Sequence, residues 1–308
     1  MSEPAPTQGF WIAADWGTSH LRVWGLSGDR VIHAAQSDQG MGVLERDGFE
    51  PALLAMVRDW LPEGQVTPVL ACGMVGSRQG WVEAPYSAVP CAPLGGPLAQ
   101  APCRDLRLSV HVVPGLKQPR PADVMRGEET QIAGYLAAHP GWDGVICLPG
   151  THSKWAHLSA GEVVSFQTFL TGEMFALLSE TSVLRHSVSG WEAAGFAEGV
   201  ALGMERPERL MARLFAIRAE SLLHGLEAGA ARARLSGLLI GAELAAAKPY
   251  WLGQRVAIIG AEGVARAYAD ALKTLSVPVT LHDATEMTLA GLTRARALLP
   301  EAERPCVN

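Results

Sequence analysis

Asp15, Gly17, Thr18 and Ser19 stand together at the end of an apolar stretch, with Arg22 close behind them. A phosphate group needs donors that can approach it closely. Small residues let backbone N–H groups reach an anion, hydroxyls add donors, and a nearby carboxylate can hold a hydrated magnesium ion. Taken alone, the same tip also serves as an ordinary hairpin turn, where Asp, Gly and Thr are common. A second group of this kind, Gly150, Thr151, His152 and Ser153, is followed by Lys154, which reads equally as a phosphate-neutralising charge or a solvated strand residue. Gly260 and Gly263 bracket a strand-to-helix turn with room for a flat base or ribose, although alone it is an ordinary connection. Glu128 and Glu129 sit side by side at a helix start. Phosphoryl transfer asks for positioning, charge neutralisation and a carboxylate that orients the acceptor hydroxyl and takes its proton. Neighbouring helix residues point about 100° apart, so one of the two is expected to face a ligand while the other favours the helix dipole. No GxxxxGK[ST] motif occurs.

These groups need strands that end together. The pattern predicts a strand at Phe10–Ala14, a second alternating strand from Leu21, a Gly28-Asp29 turn and a third strand over Val31–Ala35. A helix near Glu50–Leu61 and strands at Pro68–Cys72 and Leu108–Val113 follow. Between the two strands the Pro- and Gly-rich Ala84–Pro102 reads as loop with short extended pieces, and beyond them Met125–Ala138 reads as a helix. The layout then restarts: strand Gly144–Leu148, the Gly-Thr-His-Ser bend, strands at Ala156–Leu158 and Glu162–Phe169. We read this as an internal structural repeat. Residues 173–247 are predicted helical, with Gly237, Gly241 and Ala245 suited to close packing at a domain junction. A strand at Arg255–Ile259, a helix at Val264–Leu275, a strand at Val277–Leu281 and a helix at Met287–Leu299 complete the chain.

A length of 308 residues makes two domains the default. A net charge of −6 without a Lys/Arg stripe argues against nucleic acid as a partner, so an anionic ligand must meet local donors and a metal. No uninterrupted apolar run is long enough for a membrane span, and the MSEPAPTQG start lacks the basic and apolar regions of a signal peptide. Five scattered cysteines (Cys72, Cys91, Cys103, Cys147, Cys306) form no CxxC pair, which suits a reducing cytoplasm rather than a zinc site or disulfide framework.

The ordered set Asp15-Trp-Gly-Thr with Leu21-Arg-Val-Trp24, Gly73-Met-Val-Gly-Ser77 through Trp81, and Ala84-Pro-Tyr86 opens a resemblance that runs through nearly the whole chain. It continues in Val124-Met-Arg-Gly-Glu-Glu-Thr-Gln131, Pro149-Gly-Thr-His-Ser-Lys-Trp155, Thr171-Gly-Glu173 and Ser236-Gly-Leu-Leu-Ile-Gly-Ala-Glu243. The chain resembles the 2-dehydro-3-deoxygalactonokinase family of the actin/hexokinase/Hsp70 superfamily. That resemblance implies an α/β protein of two RNase-H-like (actin-like ATPase) domains flanking a nucleotide cleft, with a helical insertion in the second. We expect domains at 1–139, with the first phosphate loop and the sugar-acid site, and at 140–308, with the second phosphate loop and the adenosine site. It further implies ATP and magnesium, and transfer of a phosphoryl group to the 6-hydroxyl of 2-dehydro-3-deoxy-D-galactonate in galactonate catabolism.

On this basis Asp15 is the metal-linked carboxylate. Gly17, Thr18 and Ser19 serve the phosphates from one side, and Gly150, Thr151, His152, Ser153 and Lys154 from the other; Gly260 and Gly263 serve the nucleoside. Glu129 is preferred over Glu128 as base, by analogy with superfamily phosphatases that carry a Gly-x-Glu-Glu element, and Asp15 is the fallback. For the sugar acid we name Gly76, Ser77, Trp81 and Tyr86 in the long loop, with Arg22 and Arg126 as bidentate cations. Superfamily kinases often form homodimers. Three other readings stand beside this one: a kinase for the gluconate-derived epimer, an exopolyphosphatase-like phosphohydrolase, and a non-catalytic nucleotide-gated module. The Gly73–Tyr86 loop and Thr171–Glu173, which a small-molecule pocket needs, argue against the hydrolase.

Overall fold

The structure is a computed structural model that describes residues 9–299; the MSEPAPTQ start and Cys306 lie outside the described residues. In chain order the elements are β1 (Phe10–Trp16), β2 (Leu21–Ser27), β3 (Arg30–Ser37), α1 (Phe49–Val57), β4 (Thr67–Gly73), β5 (Ser87–Ala88), β6 (Ala99–Gln100), β7 (Leu108–Val112), β8 (Leu116–Gln118), β9 (Asp123–Met125) and α2 (Glu128–Ala138). There follow β10 (Gly144–Leu148), β11 (Ser153–Ser159), β12 (Glu162–Phe169), α3 (Thr171–Glu180), α4 (Ala193–Glu205), α5 (Leu210–Leu223), α6 (Ala228–Ala246), α7 (Lys248–Trp251), β13 (Val256–Gly260), α8 (Glu262–Thr274), β14 (Val279–Asp283) and α9 (Ala284–Arg296).

Two compact units result. The first runs to Trp142 and takes in Ala160–Val164 and the chain from Ala284 onward; the second holds Asp143–Ser159 and Ser165–Asp283. The main sheet of the first has the order β3-β2-β1-β4-β7-β6, and that of the second β12-β11-β10-β13-β14. In both, the central strand pairs antiparallel with the next strand in the chain and parallel with a later one. The expected repeat is therefore a repeat of topology, the RNase-H-like order. In the second unit the helices α3–α7 lie between β12 and β13, where the first unit has α1 between β3 and β4.

Alternation along β1 sets which groups meet. Phe10, Ile12, Ala14 and Trp16 pack with Phe49, Leu53 and Val57 of α1. Trp11 and Ala13 point to the opposite face, against Leu70, Cys72, Leu292, Ala295 and Leu299. A strand covered on both faces reads as a near-continuous apolar run, and Asp15 is the polar residue that breaks it, on the second face by its parity.

The last helix departs from the expected domain division. Placed by sequence in 140–308, α9 packs instead on α2 and on the first sheet, because Leu292, Ala295 and Leu299 cover that sheet's second face. Contact between the helices is backbone to backbone: a Cβ at Gly291 would lie 1.9 Å from the carbonyl oxygen of Thr130, and one at Gly134 would lie 2.0 Å from that of Met287. Gly237 and Gly241 likewise meet Gly199 and Gly203, so the small residues of α6 pack on α4 within the second unit rather than at a domain junction.

Gly291→Ala tests the α2–α9 contact. Overpacking at this spot is expected to cost about 1–3 kcal/mol, read as a lower denaturant midpoint; an unchanged midpoint would contradict the contact.

Candidate active site

The antiparallel register sets Asp15 opposite Arg22, and the parallel register sets it beside Cys72. Arg22 donates to the Asp15 carboxylate and, from its other terminal nitrogen, to Thr285 Oγ1 at 3.3 Å. The Asp15 side chain keeps 16% of its surface exposed. Burial raises its carboxyl above the ordinary range, Arg22 opposes that, and Glu128 adds to it. Gly73 follows Cys72 with φ +90°, and a Cβ there would stand 2.7 Å from the Trp16 carbonyl, so this close turn requires glycine. Thr18 and Ser19 are exposed at the tip.

Gly127 lies against Gly73 and opens α2 with φ +106°. Its N–H donates to Glu129 Oε2 at 2.7 Å, Thr130 Oγ1 donates to Glu129 Oε1 at 3.0 Å, and the Arg126 N–H donates to Glu128 Oε2 at 3.0 Å. Glu129 is fully buried, whereas Glu128 is part-exposed. Burial, with the Glu128 carboxylate beside it, pushes Glu129 up to about 8. Glu129 is thus sealed in the fold at the α2 start, whereas Glu128 keeps part of its surface exposed.

Arg126 is clamped rather than extended. Its guanidinium lies 4.3 Å from the Tyr86 ring centroid and donates to the Ala84 carbonyl at 2.8 Å, while Nη1 stands against Gly76. Arg126 Nε, Arg126 Nη1 and Ser77 Oγ are buried without a hydrogen-bond partner among the described residues. Trp81 stands apart from the Arg126–Tyr86 group and lines a separate cavity with Arg46, Glu50 and Arg104. It is buried, bonded from Nε1 to the Pro102 carbonyl at 3.1 Å, and packed with Trp16 and Phe49.

In the second unit, parity again decides. Trp155 faces the core of α6 and α8, so Ser153, two residues earlier, does too. Ser153 is buried with its Oγ 2.8 Å from the Tyr268 hydroxyl, which corrects its expected place among exposed phosphate donors. Lys154 is buried as well and donates to the His152 carbonyl at 3.1 Å, so it is not a solvated strand charge. Gly150, Thr151 and His152 stay exposed, and His152 Nε2 pairs with Glu173 Oε2 at 2.6 Å. Beside Gly150 opens a mainly apolar cavity of about 290 Å³, lined by Thr171, Phe175, Trp191, Arg232, Gly263 and Tyr268 among others. Of the lining, Gly263 and Gly150 were named for the nucleotide and Thr171 for a small-molecule pocket; Gly260 packs on Pro149 instead. Phe175, Trp191 and Arg232 are spread over 57 residues of helix and loop, and no local spacing ties them together.

Two units of the same strand order, one with a part-exposed aspartate at a hairpin end and the other with a Gly-Thr-His turn beside an apolar cavity, make this an actin-like ATPase fold. The sequence profile of the 2-keto-3-deoxy-galactonokinase family matches residues 15–295. A probable 2-dehydro-3-deoxygalactonokinase of Rhizobium meliloti is 38% identical, covering 96% of this chain and 99% of its own. The 2-dehydro-3-deoxygalactonokinase of Escherichia coli is 33% identical over 88% and 91%. A crystal structure of a Sinorhizobium meliloti protein assigned as 2-dehydro-3-deoxygalactonokinase superposes with a TM-score of 0.87 over 94% of this chain and 97% of that one, at 38% identity. The Clostridium difficile activator of 2-hydroxyisocaproyl-CoA dehydratase, solved with ADPNP, shares the fold at a TM-score of 0.54 and 11% identity, over 97% and 98%. The chain belongs to the 2-keto-3-deoxy-galactonokinase family, and is a sugar-acid kinase by that membership.

Glu129 yields a pH prediction. Between its ordinary value of 4.5 and about 8 the folded protein keeps a proton that the unfolded chain has released. Stability therefore falls as pH rises through that window, by at most about 1.4 kcal/mol per pH unit. Melting curves from pH 5 to 8 should slope downward for the wild type and flatten for Glu129→Gln; parallel curves would contradict the assignment.

Proposed function

We propose that the protein transfers the γ-phosphoryl group of ATP to the 6-hydroxyl of 2-dehydro-3-deoxy-D-galactonate. The observation that carries this reading is the grouping of Asp15, Glu128 and the Arg126–Ser77 donors around the Gly73–Gly127 contact in one unit. Glu128 is the base: it is accessible, it is held by the Arg126 N–H, and its field reaches Asp15. Asp15, with Gly17, Thr18 and Ser19, serves the phosphates. In the second unit Gly150, Thr151 and His152 form a phosphate-binding turn of their own, and the apolar cavity by Gly263 takes the nucleoside.

Among the described residues no cluster of three or more His, Cys, Asp or Glu could hold a metal ion. One part-exposed carboxylate fits a hydrated magnesium that keeps its waters and arrives on phosphate oxygens. Asp15 is thus the residue that would hold it, and the ion would supply charge neutralisation at those oxygens.

For the sugar acid's carboxylate, the unpaired donors of Arg126 and Ser77 are the best seat. Buried donors left without acceptors cost about 1–3 kcal/mol each, so a carboxylate that satisfies them is strongly favoured over a neutral group. Tyr86 and Gly76 hold the guanidinium in place, and Arg22 keeps Asp15 oriented. We place the protein in the cytoplasm, in keeping with the free thiols Cys72, Cys91, Cys103 and Cys147. Among the described residues no helix is long and apolar enough to cross a membrane. Homodimerisation through α5 is also proposed, since Met211, Phe215 and Leu222 leave one apolar stripe of that helix largely exposed.

A coupled assay with ATP and each C4 epimer of the acid tests the reading. The galactonate-derived acid should give the higher kcat/KM, and ATP loss indifferent to either acid would favour a hydrolase. Glu128→Gln should lower kcat by about 10²–10⁴ with nucleotide binding retained, and Glu129→Gln far less; equal losses would return the base role to Glu129. Arg126→Lys should raise the KM for the acid about tenfold and leave that for ATP unchanged. Phe215→Glu should shift the light-scattering mass from dimer to monomer, and an unshifted mass would remove α5 from the interface.

A further inference from the structure

Glu243 is a carboxylate enclosed in the second unit, on a stretch of α6 that reads Leu-Leu-Ile-Gly-Ala-Glu-Leu and is otherwise apolar. Its Oε1 accepts the Trp155 Nε1–H at 2.8 Å and its Oε2 accepts the Tyr268 hydroxyl at 2.6 Å. The side chains of Thr171 and Ser153 also bond to it. With its proton committed to Glu243, Tyr268 offers only lone pairs to Ser153 Oγ at 2.8 Å, so the Ser153 hydroxyl donates inward. A chain of polarised hydroxyls thus runs from α6 through α8 to the residue that closes the Gly150–His152 turn.

The same carboxylate holds the other wall of that turn. Thr171 opens α3; the following residue, Gly172, comes so near Gly150 that a Cβ there would stand 2.2 Å from the Gly150 carbonyl. The Glu173 N–H donates to the Thr151 carbonyl at 2.9 Å. Three pieces of chain far apart in sequence therefore converge on one buried acid: the turn itself, the α3 start and the α8 tyrosine that lines the cavity.

We propose that Glu243 is the positioning residue of the second phosphate loop, aligning Ser153, Thr171 and Tyr268 so that the exposed donors of Gly150–His152, the Thr151 hydroxyl among them, are presented ready-made to a nucleoside polyphosphate. The inference rests on the nucleotide reading of that turn given above. Glu243 touches no reacting atom; it acts by fixing donors before the ligand arrives, which spares the ligand the cost of ordering them. A glutamine is the informative substitution. Nearly isosteric, it replaces one acceptor oxygen with a donor NH₂ that must face either the Trp155 N–H or the Tyr268 O–H. Facing Tyr268, it turns that hydroxyl toward Ser153 and reverses the chain.

The experiment measures ADP affinity by calorimetry, and KM values and melting temperatures, for the full-length wild type, Glu243→Gln, Tyr268→Phe, their double mutant, Ser153→Ala and Thr151→Ala. Glu243→Gln is expected to weaken ADP binding and raise the KM for ATP about tenfold, with the KM for the sugar acid unchanged. In the Tyr268→Phe background its effect should shrink, because one of the two links from Glu243 to Ser153 is already cut. A lower melting temperature with ADP affinity and both KM values at wild-type levels would reduce Glu243 to a packing role and overturn the proposal. Should Glu243→Gln fail to fold, Ser153→Ala decides: a several-fold weaker ADP affinity supports the chain, and wild-type affinity overturns it. Thr151→Ala separates the two readings. If it leaves ADP affinity intact, the nucleotide assignment of the turn fails; if it weakens ADP while Glu243→Gln does not, only the present inference fails.

Discussion

Carboxylates that have lost most of their water must be matched by donors fixed in the fold, and that requirement organises both units. An unpaired buried acid is costly, whereas one that accepts several N–H and O–H groups becomes a rigid joint. Glu129 joins the Gly127 turn to the first residues of α2. Glu243 joins β11, α3 and α8. Asp15, only partly shielded, is held by Arg22 and keeps an open edge. Each unit therefore presents its exposed polar turn on a base that has no freedom to relax.

The doubled topology makes this arrangement available twice. In each sheet the central strand ends beside a hairpin partner on one side and a parallel strand on the other, so a turn at its end is flanked by two more chain ends. Convergence of strand ends is where α/β sheets gather polar groups without breaking a hydrophobic layer. The units then diverge. One adds the long Gly73–Tyr86 loop with its clamped arginine; the other adds α3–α6, whose inner face makes the apolar cavity. Under the function proposed above, both have a use: a charged small acid calls for buried donors and a nucleoside calls for an apolar slot.

Much of this was legible in the residues. Alternation and glycine punctuation located the hairpins, the strands at 67–73 and 144–148 and the helix ending at Ala138 to within a few residues. The Asp-x-Gly-Thr and Gly-Thr-His-Ser turns fall, as expected, at the ends of β1 and β10. Less visible were groups whose role depends on a partner distant in sequence. Glu243 entered only as the last residue of the Ser236–Glu243 segment, with nothing local to mark its role. Trp81 looked like a loop aromatic because its partners Trp16 and Phe49 lie 65 and 32 residues away. The destination of α9 was hidden too: its apolar stripe fits any uncovered sheet face, and only the packing of Gly291 on Thr130 selects one.

By itself the sequence determined the kinds of turn, the two-fold pattern of strands and the set of chemically capable side chains, because these follow from local spacing and backbone preference. Tertiary structure alone decided which member of each neighbouring pair faces outward. Glu128 rather than Glu129 is reachable, and Ser153 turns inward while Thr151 does not. The reason is physical: a side chain's exposure is set by which layer covers its face, and the layers here come from α2, α6, α8 and α9, tens to hundreds of residues away from the turns they support.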